Sequence, residues 1–252
     1  MKIPRLFTLG LLAAVLSPAL LQAAEKNIDP KALEQLQRMS NSLAAAKAFT
    51  YESRAVVEVP AKTGQFLTLY SNAEVALQRP NHLRARLRGE APAFDFYFDG
   101  QTVSAFAPET RVYSVTKAPA TIDAMLPELE DETGIRFVTA PLLFSNPYKI
   151  MTRGLSSALV VGPVWVHGVA CTHLAFRSPG VNWELWIESG PEALPRRLAV
   201  TYTDRANFPR TIVEFSKWNL HPWLRGRDFR FLPPTQAKEI PFTSVWNSTG
   251  RR

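Results

Sequence analysis

Two spacings of hydrophobic residues divide this chain. Leu33, Leu36, Met39, Leu43 and Ala46 recur every three or four positions, the repeat of an amphipathic helix. Asp29-Pro30 precedes them. Asp is a favoured helix cap and Pro a favoured first helical residue, so a helix to about Lys47 is predicted. From Phe49 the repeat falls to two, which predicts strands over 49–59, 66–78, 82–88, 94–98, 102–107 and 111–115. Lys62-Thr63-Gly64 and Asp99-Gly100 suit hairpins, because Gly accepts a positive φ. Connections this short require antiparallel neighbours.

Helical signals return in the middle. Thr121 can cap a helix carrying Ile122, Met125, Leu126 and Leu129, with Gly134 as its stop. Pro127 inside it is expected to kink or shorten it. Residues 140–144 read as a short apolar turn, and Asn146-Pro147 opens another short helix ending near Gly154. Strand spacing resumes over 156–166, 169–177, 181–188, 196–203 and 210–220, with His167-Gly168 as a tight turn and a last strand over 229–232. Pro233-Pro234 begins an irregular end, and 243–252 read as a flexible tail. Pro60, Pro80 and Pro108 fall at strand ends, where they blunt exposed edges. The expectation is one α+β domain with a single antiparallel sheet of roughly eleven strands, large enough to curl strongly.

The N-terminus adds a location. Lys2 and Arg5 precede an uncharged apolar run over 6–16, Ser17-Pro18 breaks it, and Leu21-Gln22-Ala23 ends on a small residue. This is the layout of a cleavable signal peptide over 1–23. The apolar run is short for a membrane-spanning helix, which needs about 20 residues. No cysteine lies near the cut, so a mature chain without a lipid anchor is expected. The only cysteine is Cys171, which leaves no partner for an internal disulfide. Stability must then come from a core, and the 46% hydrophobic composition permits one.

Charge excludes little. The chain carries 29 Lys and Arg against 22 Asp and Glu, or +7, and +5 without Lys2 and Arg5. The basic residues are scattered apart from small clusters at Arg84/Arg86/Arg88, Arg196-Arg197 and Arg225/Arg227; an exported chain is not expected to meet nucleic acid, and weak contact with a membrane surface is allowed at most.

Candidate chemistry is sparse. Gly154-Leu155-Ser156-Ser157-Ala158 lacks the closing Gly of a nucleophile elbow. His167, Cys171 and His173 are residue types that zinc accepts, but one lies on a turn and two along a strand, so no metal site is assigned. If 169–177 pairs with 181–188 so that Phe176 faces Trp183 and Leu174 faces Leu185, Thr172 meets Ile187 on an apolar face. Cys171, His173, Arg177, Asn182, Glu184, Trp186 and Glu188 then share the other face. His173 and Glu184 could do acid–base work there or form a hydrogen-bond network, and the network is the expectation. No catalytic residue and no cofactor are assigned.

The apolar pattern is more informative. Phe94, Phe96 and Phe98 alternate along one strand face, and the short helices supply Met125, Leu126, Leu129, Leu142, Leu143 and Phe144. With Leu174, Phe176, Trp183 and Leu185 they form either a solid core or the lining of a cavity.

Several segments, in order along the chain, resemble a family of predicted periplasmic bacterial proteins with no established activity. They include Asp29-Pro30-Lys31-Ala32-Leu33, Arg79-Pro80, Phe98-Asp99-Gly100 and Ala118-Pro119-Ala120-Thr121-Ile122-Asp123-Ala124-Met125. Later ones are Gly168-Val169-Ala170-Cys171-Thr172-His173, Trp183-Glu184-Leu185-Trp186-Ile187-Glu188, Trp218-Asn219-Leu220 and Phe229-Arg230-Phe231-Leu232-Pro233-Pro234. That family is similar in expected fold to the lipoprotein carriers LolA and LolB. The resemblance implies a half-barrel over 24–242, with an N-terminal helix and short central helices covering its concave face. It also implies a non-enzymatic periplasmic protein whose apolar cavity takes a lipid, an acyl chain or a lipidated partner. An envelope interaction or sensor domain, or an unrecognised hydrolase, are the competing readings.

Overall fold

The computed structural model describes residues 27–90, 92–134 and 137–242. The expected signal peptide and tail lie outside the described residues. The elements run in the order β1 (Asn27–Ile28), α1 (Pro30–Ala45), β2 (Ala48–Pro60), β3 (Phe66–Gln78), β4 (His82–Gly89), β5 (Phe94–Phe98), β6 (Thr102–Ala107) and β7 (Val112–Lys117). There follow α2 (Ile122–Thr133), a 3₁₀ turn at Ala140–Leu142, α3 (Pro147–Met151), β8 (Ser157–Val166), β9 (Val169–Ser178), β10 (Val181–Glu188), β11 (Pro195–Tyr202) and β12 (Arg210–Asn219). A 3₁₀ turn at Gly226–Phe229 and β13 (Lys238–Glu239) close the order.

The helix ends follow local chemistry. The Asp29 side chain accepts from the Lys31 amide, 2.8 Å away, and Pro30 begins α1. The Thr121 side chain accepts from the Ala124 amide, and Gly134 ends α2 at φ 69°. Pro127 lies inside α2, which continues to Thr133, so of the expected kink or shortening the shortening does not occur.

The thirteen described strands belong to one open sheet, ordered β1-β8-β9-β10-β11-β12-β2-β3-β4-β5-β6-β7-β13. Each of β2–β7 pairs with the next in sequence, as does each of β8–β12. Antiparallel pairing of β12 with β2 is the seam between these two meanders. The count exceeds the expected eleven because two end strands of two residues each are too short to show periodicity. Both pair in parallel, which also departs from an all-antiparallel sheet. The strand expected over 229–232 is absent. Phe229 instead ends the second 3₁₀ turn, buried, with its ring 5.0 Å from that of His82.

One apolar cluster joins α1, α2, the first 3₁₀ turn and α3 to the inner faces of both meanders. It takes Leu36 and Met39 from α1, Met125 and Leu129 from α2, and Leu142 from the turn. The sheet contributes Leu185 and Phe176 on one side of the seam and Phe96 and Leu77 on the other. The helices therefore gather on one face of the sheet. Burial of such side chains stabilises by about 1.5–3 kcal/mol each.

Candidate ligand-binding cavity

The helix layer covers the inner face incompletely. Between α2, the first 3₁₀ turn and α3 on one side and β10–β11 on the other lies a cavity of about 1000 Å³. Its sheet wall carries Val181, Trp183, Leu198 and Val200. Its helix wall carries Leu126, Phe137, Leu142, Phe144 and Ile150. Strand alternation puts the sheet residues here. Trp183 pairs with Val200 and Leu185 with Leu198, so all four point to one side. On α2, Asp123, Leu126, Pro127, Glu130 and Asp131 face the cavity, the spacing of one helix face.

The candidate lining residues divide in two. Leu126, Leu142, Phe144 and Trp183 border the cavity. Phe94, Phe96, Phe98, Met125, Leu129, Leu174, Phe176 and Leu185 are buried in the packed cluster away from it. Phe176 lies directly behind the wall, with its ring stacked on Trp183 at 3.9 Å between centroids. The inner face is thus part core and part cavity wall.

Several polar ties hold the helix wall in place. Asp123 of α2 accepts from the Ser145 hydroxyl and, at 2.8 Å, from the Ser145 amide. Ser40 of α1 accepts from the Tyr148 amide at 2.9 Å. Arg79, at the cis Arg79-Pro80 bond, donates to the carbonyls of Leu143 at 3.0 Å and Leu43 at 3.3 Å. Its guanidinium lies 5.9 Å from the Phe49 ring centroid. Burial lowers its pKa from the usual value, with Asp123 opposing. Periodicity carries no signal for this tie, and the Arg-Pro dipeptide was the only mark of the position. Nearby, burial pushes the Tyr51 hydroxyl up to about 12. It faces Thr139 without a hydrogen bond of normal geometry.

The outer face is of another kind. The β9–β10 register places Phe176 against Trp183, Leu174 against Leu185 and Thr172 against Ile187, as the apolar pattern predicts. His173 Nε2 lies 2.9 Å from Glu184, which also pairs with Arg210. The His173 ring stacks on Trp186 at 4.1 Å, and Arg197 lies 5.3 Å from the same indole. At the tip of the β8–β9 hairpin, His167 and Gly168 both have positive φ, the geometry of a tight turn. His167 meets Glu214 on β12 at 3.0 Å, although β10 and β11 stand between in the sheet. The hairpin therefore folds over the outer face. A bulge between Val160 and Gly162 accompanies the bend. Val166, Cys171, Trp186 and Ala199 form a small core beneath it.

This face is a lattice of ion pairs and ring contacts. Glu188 pairs with Arg196, and Glu214 accepts from Arg197 at 2.9 Å. Burial would raise Glu214, but the hydrogen bonds from His167 and Arg197 outweigh it and hold the carboxyl below its usual range. Burial pushes the Cys171 thiol up, which disfavours the reactive thiolate. Among the described residues, no three His, Cys, Asp or Glu side chains converge as a metal site would require. No described helix is long and apolar enough to cross a membrane.

Residues 32–243 match the family described as "Predicted periplasmic protein (DUF2092)", and the chain belongs to that family. No curated protein matches it. Among solved structures, it is similar to the lipoprotein LppX of Mycobacterium tuberculosis at 14% identity and a TM-score of 0.49, over 76% of this chain and 96% of that one. It is also similar to an uncharacterized conserved protein of Thermus thermophilus, at 12% identity and a TM-score of 0.47, over 84% and 99%. A third likeness is to a putative outer membrane lipoprotein-sorting protein domain from Vibrio parahaemolyticus, at 10% identity and a TM-score of 0.36, over 80% and 96%. Likenesses this loose leave function to be argued from the cavity.

Proposed function

We propose that this protein is a non-enzymatic periplasmic carrier that holds a lipid, an acyl chain or the acyl group of a lipidated partner in the cavity between its helix layer and β10–β11. The observation that carries the reading is the cavity: about 1000 Å³, walled by side chains such as Leu126, Phe144, Trp183 and Val200. That volume is at the upper end of small-molecule sites. Burial of an alkyl chain gives about 0.8 kcal/mol per methylene. About ten methylenes then match the roughly 8 kcal/mol of a micromolar complex, before the cost of association. The family's periplasmic description supports a location between the two membranes.

Native mass spectrometry of protein purified from its own periplasm tests this directly. Co-purifying lipid is expected, and delipidated protein should rebind a fluorescent fatty acid. Ala140→Trp, which fills the helix side of the cavity, should abolish rebinding while the fold persists. Undiminished binding in that variant would place the ligand elsewhere.

One observation favours a second reading, a protein partner. Along β8, Trp165 is 73% and Val161 53% exposed, and among the described residues the strand's outer edge is unpaired beyond Ala158. Trp165→Ala should weaken capture of such a partner and leave lipid binding unchanged.

A further inference from the structure

The two lips of the cavity carry opposite charge. On the α3 side, Lys149 and Arg153 lie four residues apart and are exposed. Neither side chain hydrogen-bonds or ion-pairs with another described residue. Gly154 abuts Pro179 of the β9–β10 turn, and the neighbouring Gly180 abuts Asp204. Arg205 follows, 4.1 Å over the Tyr202 ring, whose backbone continues the sheet wall. Among the described residues, this contiguous lip thus holds three cations and the single carboxylate of Asp204. The α2 lip holds Asp123, which Ser145 engages, Glu130, which has a partner of its own, and the exposed Asp131 a turn or two further on. No cation of α2 lines the cavity among the described residues.

A purely anionic head would face the carboxylates of α2, and a purely cationic head would face Arg153 and Arg205. We propose that the cavity selects a zwitterionic amphiphile, its phosphate at Arg153 and Arg205 and its ammonium at the Asp131 end of α2. This rests on the carrier reading above and adds the chemistry of the ligand's head. Phosphate suits guanidinium groups, which offer forked donors, and carboxylates complement an ammonium.

Single-chain probes of equal chain length separate the two claims by calorimetry on the delipidated full chain. Lysophosphatidylethanolamine should bind about tenfold or more tighter than monoacylglycerol, the scale of one charge-assisted hydrogen bond. It should also exceed lysophosphatidate, which lacks the ammonium. Arg153→Ala with Arg205→Ala should erase the advantage over monoacylglycerol. Asp131→Asn should erase the advantage over lysophosphatidate. These residues are at the surface, and unchanged melting temperatures verify folding. Equal binding of monoacylglycerol and the zwitterion by the wild type overturns the head-group proposal and leaves the carrier reading intact. Binding of none of the amphiphiles overturns both. Binding of chain-free phosphoethanolamine as tightly as the lysolipid overturns the carrier reading, because the apolar walls would then contribute nothing.

Discussion

The same strands build two unlike surfaces. On β10, Trp183, Leu185 and Ile187 point inward to the helix layer, while Glu184, Trp186 and Glu188 point outward into the lattice under the β8–β9 hairpin. Inside, side chains are held by shape, and the packing ends at an open volume. Outside, they are held by partners: nearly every charge in the lattice has an opposite one, and the indole of Trp186 is sandwiched by His173 and Arg197. A binding surface needs room and unengaged groups. The inner face has the larger opening, of about 1000 Å³ with apolar walls, whereas the charges on β9–β12 beneath the hairpin are mostly engaged with one another.

That contrast can be broken at several points. The largest effect is expected from Leu185→Ala, at a fully buried inner position, which should cost about 2–5 kcal/mol in chemical denaturation. Arg79→Met comes next. Losing its bonds to the Leu43 and Leu143 carbonyls should cost about 1–3 kcal/mol. It should also speed hydrogen exchange across the first 3₁₀ turn and α3 more than in the sheet. Uniform acceleration would mean that Arg79 does not tie the helix wall. His173→Ala removes the bond to Glu184 and a ring contact, and should cost about 1 kcal/mol without changing lipid binding. Altered lipid binding would show that the outer face takes part in function.

The smallest effect is a pH dependence. Glu214 titrates below its ordinary value of 4.5 in the folded chain. Its contribution to stability is therefore complete above about pH 4.5 and is lost as pH falls through the lower folded value. The melting-temperature difference between wild type and Glu214→Gln should shrink over that acidic range. A difference that grew on acidification would reverse the assignment.

Much of the sheet was legible from alternation alone. The register of β9 on β10 follows from matching Phe176 with Trp183 and Leu174 with Leu185, because a one-residue slip would bury Glu184. Helix ends were legible from Asp29, Thr121 and Gly134, whose chemistry is local. The cavity was not, because alternation marks which side a residue faces but not what stands opposite. Phe94, Phe96 and Phe98 face inward as the pattern says, yet helices cover them, while Val181 and Val200 meet open space. Arg79 and the meeting of His167 with Glu214 were illegible for a related reason: each joins groups far apart in sequence, through geometry set by a turn or a bulge.

The seam between β12 and β2 has a consequence in time. Within each meander, every strand pairs with the one beside it in sequence, so its loops are short and close at little entropic cost. Val213 must find Ala55, and Phe215 must find Ser53, across about 160 residues of chain. Contacts of that separation form slowly. Until the seam zips, the first meander presents β2 as a raw edge and the second presents β12. An intermediate with two finished halves and an unjoined middle is the species most exposed to mispairing with another chain.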